Sequence, residues 1–123
     1  MSDRTPADVA HLLEHSDLIT AVTHRRSDRL IGFARVLTDY THIALVLDVI
    51  VDDSHRGSGL GSVLLDAMVN HPDLTTVRSL ELVCQPNLIP FYRRWGFTDQ
   101  VGPSTLMRRT TDPRLKAPPL ADS

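Results

Sequence analysis

The sequence predicts an α/β (α+β) domain with a mixed, mostly antiparallel central sheet flanked by helices, and three observations carry that expectation. Three strand-like apolar runs, Leu18 to Thr23, Leu30 to Thr38 and Ile43 to Val51, follow one another across the short polar segments HRRSD and DYTH. Connections this short join antiparallel neighbours, because a parallel return needs a crossover of about a dozen residues or more. A glycine-rich segment then opens a helix, and the remaining order is strand, helix, strand.

Each element follows from its residues. Thr5 to His15 reads as a short helix, with Thr5 as N-cap, Pro6 at the first helical position, Asp8 in the first turn and Val9, Leu12 and Leu13 at helical spacing. After the three strands, DDSHR and GSGLG precede a segment whose Leu60, Val63, Leu64, Ala67 and Met68 share one helical face. Asn70 and Pro72 end it. Arg78 to Cys84 alternates as a strand does, Asn87 to Trp95 is a second helix closed by Gly96, and Thr105 to Arg109 is a last short strand.

Length and composition bound the rest. A chain of 123 residues holds one domain, assigned to residues 1–110. Residues 111–123 carry Pro113, Pro118 and Pro119 with few large apolar groups, so a disordered or extended tail is expected. Thirteen basic against fifteen acidic residues give a net charge of −2, which provides no overall positive field for nucleic acid or an anionic membrane surface. The longest unbroken apolar run, Ile43 to Leu47, is far below the roughly 18 residues that span a bilayer. The polar opening MSDRTPADV lacks a signal peptide's apolar centre, so a cytoplasmic location is expected. The single cysteine, Cys84, agrees with a reducing compartment and removes cysteine-based zinc frameworks.

The chemistry concentrates in Arg56-Gly57-Ser58-Gly59-Leu60-Gly61, between a strongly apolar strand and an amphipathic helix. A helix N-terminus presents unpartnered N–H groups and partial positive charge, and glycines let an anion come close to them. Arg56 adds a charged fork to the same anion. A nucleotide-triphosphate loop would need Lys after its last glycine, where Ser62 stands. A dinucleotide fingerprint would need glycine at Ser62 and no five-residue gap after the strand. A plain Gly/Ser turn is the bland alternative.

The pattern Val49-x-Val51-x-x-x-x-Arg56-Gly57-x-Gly59-x-Gly61 resembles the coenzyme A loop of the GCN5-related N-acetyltransferase (GNAT) superfamily. A second segment, Ile89-Pro90-Phe91-Tyr92-Arg93-Arg94-Trp95-Gly96-Phe97, is similar to that family's aromatic-Tyr-x-x-x-Gly-Phe helix. The resemblance implies a central sheet splayed after the strand that precedes the loop. It implies acetyl-CoA as acetyl-donor cosubstrate and no metal. Val49, Ile50 and Val51 would line the pantetheine arm, and Arg56, Gly57, Ser58, Gly59, Leu60, Gly61 and Ser62 would hold the pyrophosphate. Tyr92 would protonate the departing thiolate, as a phenol with a reference pKa of about 10 can at neutral pH. The family commonly places an Asn seven residues before this Tyr; here that position is Gln85, with Asn87 two residues on, and either could donate to the coenzyme.

The base is less defined. Asp48 interrupts the apolar run beside the pantetheine segment, where a carboxylate must meet a cleft, a partner or solvent, so it serves either the active site or a structural hydrogen bond. Asp39, His42 and Glu81 are weaker candidates, and relay through water needs no single base. The family's usual order has one more strand and helix before the loop than this chain offers. The acceptor side is therefore expected to be open, or completed by a second subunit in a homodimer.

The expected reaction is direct attack by a primary amine, of a small molecule or a peptide, on bound acetyl-CoA. A non-catalytic acyl-CoA-binding or regulatory subunit is the alternative. Other motifs point elsewhere only weakly. His11-Leu12-Leu13-Glu14-His15 matches H-x-x-E-H but lacks a third ligand and a scaffold, Cys84 reads as a buried strand cysteine, and Arg25, Arg26 and Arg29 read as a solvated turn.

Overall fold

A computed structural model describes residues 14–116 together with Ala7, Ala10 and His11. Ala7, Ala10, His11 and Glu14 are helical, and the amide of His15 donates to the His11 carbonyl at 3.1 Å. The expected cap and apolar positions of that helix, Thr5, Pro6, Asp8, Val9, Leu12 and Leu13, lie outside the described residues.

Four strands form one sheet in the order β1-β2-β3-β4. They are β1 (Leu18–Thr23), β2 (Leu30–Thr38), β3 (Ile43–Val51) and β4 (Ser79–Leu82). The β1–β2 and β2–β3 pairs are antiparallel, as two short turns require, and β3–β4 is parallel. Helix α1 (Leu60–Val69) makes the crossover between the two parallel strands. The sheet is mixed and mostly antiparallel, with helices beside it, as the sequence predicts.

Burial explains the order. Ile31, Gly32, Phe33 and Ala34 are buried in succession, so both faces of β2 are covered and it runs through the interior. Leu65 and Met68 of α1 bury one stripe against Val36, Ala44 and Val46 of the sheet, with Leu74 closing the end, and the buried Leu64 packs over Gly32 of β2. At roughly 1.5 to 3 kcal/mol per fully buried large aliphatic side chain, this stripe supplies most of what holds α1 to the sheet. The helix stops at Asn70, whose amide and side-chain nitrogen both donate to the Asp66 carbonyl, at 3.2 and 2.8 Å.

The C-terminal half departs from expectation in three places. Strand β4 has four residues, and Val83 and Cys84 leave the ladder rather than extending it. The segment expected as one helix from Asn87 to Trp95 is a 3-10 turn, Pro86–Leu88, followed by helix α2 (Ile89–Arg93). Two prolines explain the break, since each lacks an amide and tolerates only a first helical turn. The expected last strand, Thr105 to Arg109, does not form: these residues belong to no ladder, with Leu106 61% and Met107 92% exposed. Leu106 and Met107 line a groove of about 950 Å³ together with Ser79 to Leu82 of β4, rather than pairing with that strand. Among the described residues no helix is long and apolar enough to cross a membrane.

Candidate active site

The site begins with a slip in register. Arg35 of β2 pairs with Asp48 of β3, yet the next pair is Val36 with Val46, so Leu47 is an extra residue bulged out of β3. On the other side, β3 pairs with β4 only from Ile43 to Val46. Beyond Val46 the two parallel strands part, and the splay implied by the resemblance lies there. A cleft of about 1000 Å³ opens between Leu47, Asp48, Val49 and Ile50 on one wall and Val83, Cys84 and Gln85 on the other. The edge of β3 along the cleft has no neighbouring strand, which leaves main-chain groups for a ligand to pair with.

Tyr92 of α2 closes the cleft from the side. It is half-buried in an aromatic cluster, with the Phe91 ring 5.1 Å away and the Phe97 ring 6.1 Å away, both edge to face. Its hydroxyl has no hydrogen-bond partner among the described residues. Burial pushes the phenol pKa above its ordinary value, and the nearby Cys84 thiol adds to the shift. Tyr92 therefore keeps its proton at neutral pH and has it available to give. The helix is fixed by Trp95, whose indole N–H donates to the Asp66 carboxylate of α1 at 2.6 Å. The Arg94 guanidinium lies over the Trp95 ring at 4.8 Å.

Asp48 lines the cleft, and its carboxylate accepts from Nε of Arg35, its register partner. The two side chains are 11% and 14% exposed. Asp48 thus borders the cleft and is also held by a hydrogen bond within the sheet. The weaker candidates lie elsewhere. Asp39 ties the β2–β3 turn by accepting from the amides of Thr41, His42 and Ile43 at 2.9, 2.7 and 3.1 Å. Glu81 accepts from Ser79 and borders the outer groove, not the cleft.

The glycine loop stands at the C-terminal end of β3. Asp52 accepts from Ser54, from His55 at 3.3 Å and from Arg29 at 3.1 Å, which holds the chain as it leaves the strand. Its carboxyl is held below the ordinary range by the Ser54 hydroxyl first, then by His55 and Arg29. Gly57 and Gly59 have φ of +80° and +83°, a region that side chains disfavour, and Gly59 is the N-cap of α1. The amides of Leu60, Gly61 and Ser62 occupy the first turn, where no preceding helical carbonyl reaches them. Arg56 is exposed and paired with Asp53 at 3.0 Å.

The structure brings together Asp48, Val49, Ile50, Gln85 and Tyr92 around one cleft. Val51 pairs with Gly32 just beyond it, and Arg56 to Ser62 sit past the strand end, around the N-terminus of α1. Asn87 is exposed in the 3-10 turn and outside the lining, so of the two only Gln85 borders the cleft. Sequence reading missed several contributors. Among them, Cys84 is half-buried in the cleft wall and not in a strand, and Arg108 and Lys116, with Arg114 between them, line the cleft from the C-terminal segment. Nothing local in those residues signals it, because only the tertiary path of the chain brings them there. Among the described residues no group of three or more His, Cys, Asp or Glu side chains comes together as metal ligands.

Comparison with known proteins agrees with this geometry. The family model described as an acetyltransferase (GNAT) domain matches residues 14–99. A solved structure of a GNAT-family protein from Xanthomonas campestris pv. campestris shares 36% identity at a TM-score of 0.74, covering 88% of this chain and 73% of that one. The uncharacterised N-acetyltransferase ycf52 of Porphyra purpurea is 32% identical over 87 residues, 69% of this chain and 50% of its own length. A chloroplastic GCN5-related N-acetyltransferase 1 of Arabidopsis thaliana is 29% identical over 94 residues, 76% of this chain and 48% of its own. The chain spans about half the length of these curated relatives. It belongs to the GNAT acetyltransferase family.

Proposed function

We propose that the protein is an acetyl-CoA-dependent N-acetyltransferase that transfers acetyl to a primary amine by direct attack. The observation that carries this reading is the coincidence of three features: a cleft where β3 and β4 part, a protonated Tyr92 in its wall, and a glycine-capped helix N-terminus at the same strand end. The residues present fit the coenzyme. The cleft volume of about 1000 Å³ suits an extended ligand. The unpaired edge of β3 suits an amide-bearing arm, and the first-turn amides of α1 suit a phosphate.

When bound, acetyl-CoA supplies the acetyl group as a thioester. In this reading Val49 and Ile50 border the pantetheine arm, with Val51 at its outer end. The amides from Gly57 to Ser62, with Arg56, hold the pyrophosphate, and Gln85 donates to the arm. Main-chain N–H groups beside the Leu47 bulge stabilise negative charge on the thioester oxygen as the amine attacks. Asp48 receives the acceptor's ammonium and draws off its proton, and Tyr92 protonates the leaving sulfur. A reducing compartment, as in the cytoplasm, suits Cys84 beside the reacting sulfur.

Calorimetric titration of the purified chain with acetyl-CoA, beside Gly59→Glu, tests the coenzyme site. Saturable binding that the substitution abolishes is expected. Thiol release on adding a panel of amines then separates an enzyme from a subunit that only binds acyl-CoA. Binding without amine-dependent release would overturn the catalytic reading.

A further inference from the structure

One residue bordering the cleft carries an amine of the chain's own. Lys116 is the one lysine in the sequence, and it lines the same cleft as Asp48, Cys84 and Tyr92. Its position is anchored on both sides of a short turn. The Arg108 guanidinium, also in the cleft wall, donates to the Leu115 carbonyl at 3.3 Å. The Asp112 carboxylate accepts from the Arg114 amide at 2.9 Å and from its guanidinium at 3.2 Å, which caps the 3-10 turn Pro113–Leu115. Lys116 follows immediately, so its backbone is fixed one residue beyond a carbonyl tied to the wall.

From this placement, and resting on the acetyltransferase reading above, we infer that Lys116 is an acceptor in cis: the site acetylates its own chain at the Lys116 ε-amine. A tethered nucleophile meets the thioester at an effective concentration of about millimolar or more, without any diffusional encounter. The step balances simply. The neutral ε-nitrogen forms a bond to the acetyl carbon, and the carbon–sulfur bond breaks. Sulfur leaves as thiolate and takes the Tyr92 proton, and the proton shed by nitrogen passes through solvent to restore the phenol. Products are the Lys116 amide and free coenzyme thiol. The amide carries no charge, so the reaction removes one of the three cations, Arg108, Arg114 and Lys116, at the cleft mouth. It also leaves an acetyl group in the space an external amine must cross, so the modified chain turns over added amines more slowly.

The full chain incubated with acetyl-CoA and no added amine, followed by trypsin digestion and mass spectrometry, tests this. Trypsin cuts after Arg114 and after unmodified Lys116, so acetylation is read as survival of the intact peptide from Leu115 to Ser123 carrying one acetyl group. The expected rate is about 10- to 100-fold above that of the urea-unfolded chain and independent of protein concentration. Lys116→Arg should lose the mark. Equal rates in folded and unfolded chain, or a rate proportional to protein concentration, would overturn acetylation in cis. A chain that binds acetyl-CoA and acetylates an added amine yet leaves Lys116 bare would overturn this inference and leave the proposed function standing. A chain that does neither overturns both.

Discussion

Arg35 and Asp48 are register partners across the β2–β3 ladder, and Nε of Arg35 donates to the Asp48 carboxylate at the edge of the cleft. The pairing sits one residue from the Leu47 bulge, so the ion pair also fixes where β3 turns its edge toward the cleft. Removing one member of a pair that is 11% and 14% exposed leaves a charge mostly out of water. Arg35→Ala is expected to cost about 2 kcal/mol or more in urea unfolding. Asp48→Asn keeps an acceptor for Arg35 and should cost less. It should also lower kcat/KM for amines by about 10- to 100-fold while the acetyl-CoA dissociation constant stays unchanged. Unchanged kcat/KM in Asp48→Asn would reduce Asp48 to a structural partner of Arg35.

Tyr92→Phe removes only a hydroxyl that has no hydrogen-bond partner among the described residues, so thermal stability and coenzyme affinity should hardly move. Turnover should fall about 100-fold if the phenol protonates the sulfur. The sign of its pH dependence follows from burial and the Cys84 thiol, which raise the pKa. The acid form persists through neutral pH, and the rate lost to ionised Tyr92 appears only above about pH 10. A pH profile of kcat in the wild type and in Tyr92→Phe checks both statements, and identical alkaline limbs would remove Tyr92 from the proton path.

Much of the fold is legible in the sequence, and the departures share a cause. The bounds of β1, β2 and β3 match their apolar runs, because alternation and the polar turns HRRSD and DYTH are local signals. Helix α1 starts at Leu60 as its glycine cap and apolar stripe imply. The Thr105 to Arg109 strand fails because a strand needs a neighbour, and the partner edge of β4 lies across a groove. Cys84 reads as a strand residue until β4 is seen to end at Leu82. Arg108 and Lys116 join the cleft through a turn capped by Asp112, and no periodicity records where that turn lands.

The β2–β3 turn makes a separate prediction about acid. Three amides, of Thr41, His42 and Ile43, hold the Asp39 carboxyl far below its ordinary range. A depressed folded-state pKa contributes stability that is fully present above the unfolded value of about 3.9 and is lost as pH falls through the folded one. The thermal midpoint should therefore decline on acidification below about pH 4. Asp39→Asn should be less stable at neutral pH, and its midpoint should fall less steeply with acid. Parallel acid curves for the two proteins would show that the turn amides do not depend on the Asp39 charge.

The last prediction concerns how the two halves of the site stay aligned. Helix α1 and the turn that ends α2 are joined by the Trp95 indole on Asp66, a charge-assisted bond at 2.6 Å. Trp95→Phe keeps most of the aromatic packing on Phe91, whose ring centre is 4.9 Å away, but deletes the bond. A loss of about 1 to 2 kcal/mol in stability is expected. Because α2 then sits less firmly against α1, Tyr92 is displaced relative to the glycine loop, which in the proposed mechanism sets the position of the thioester. Misplacement on the order of 1 Å can cost about 100-fold in rate, so kcat should fall while acetyl-CoA affinity, set mainly at the loop, changes little. Asp66→Asn retains an acceptor and should recover much of kcat. If it instead matches Trp95→Phe, the negative charge of Asp66, rather than the geometry of the bond, is what aligns the two helices.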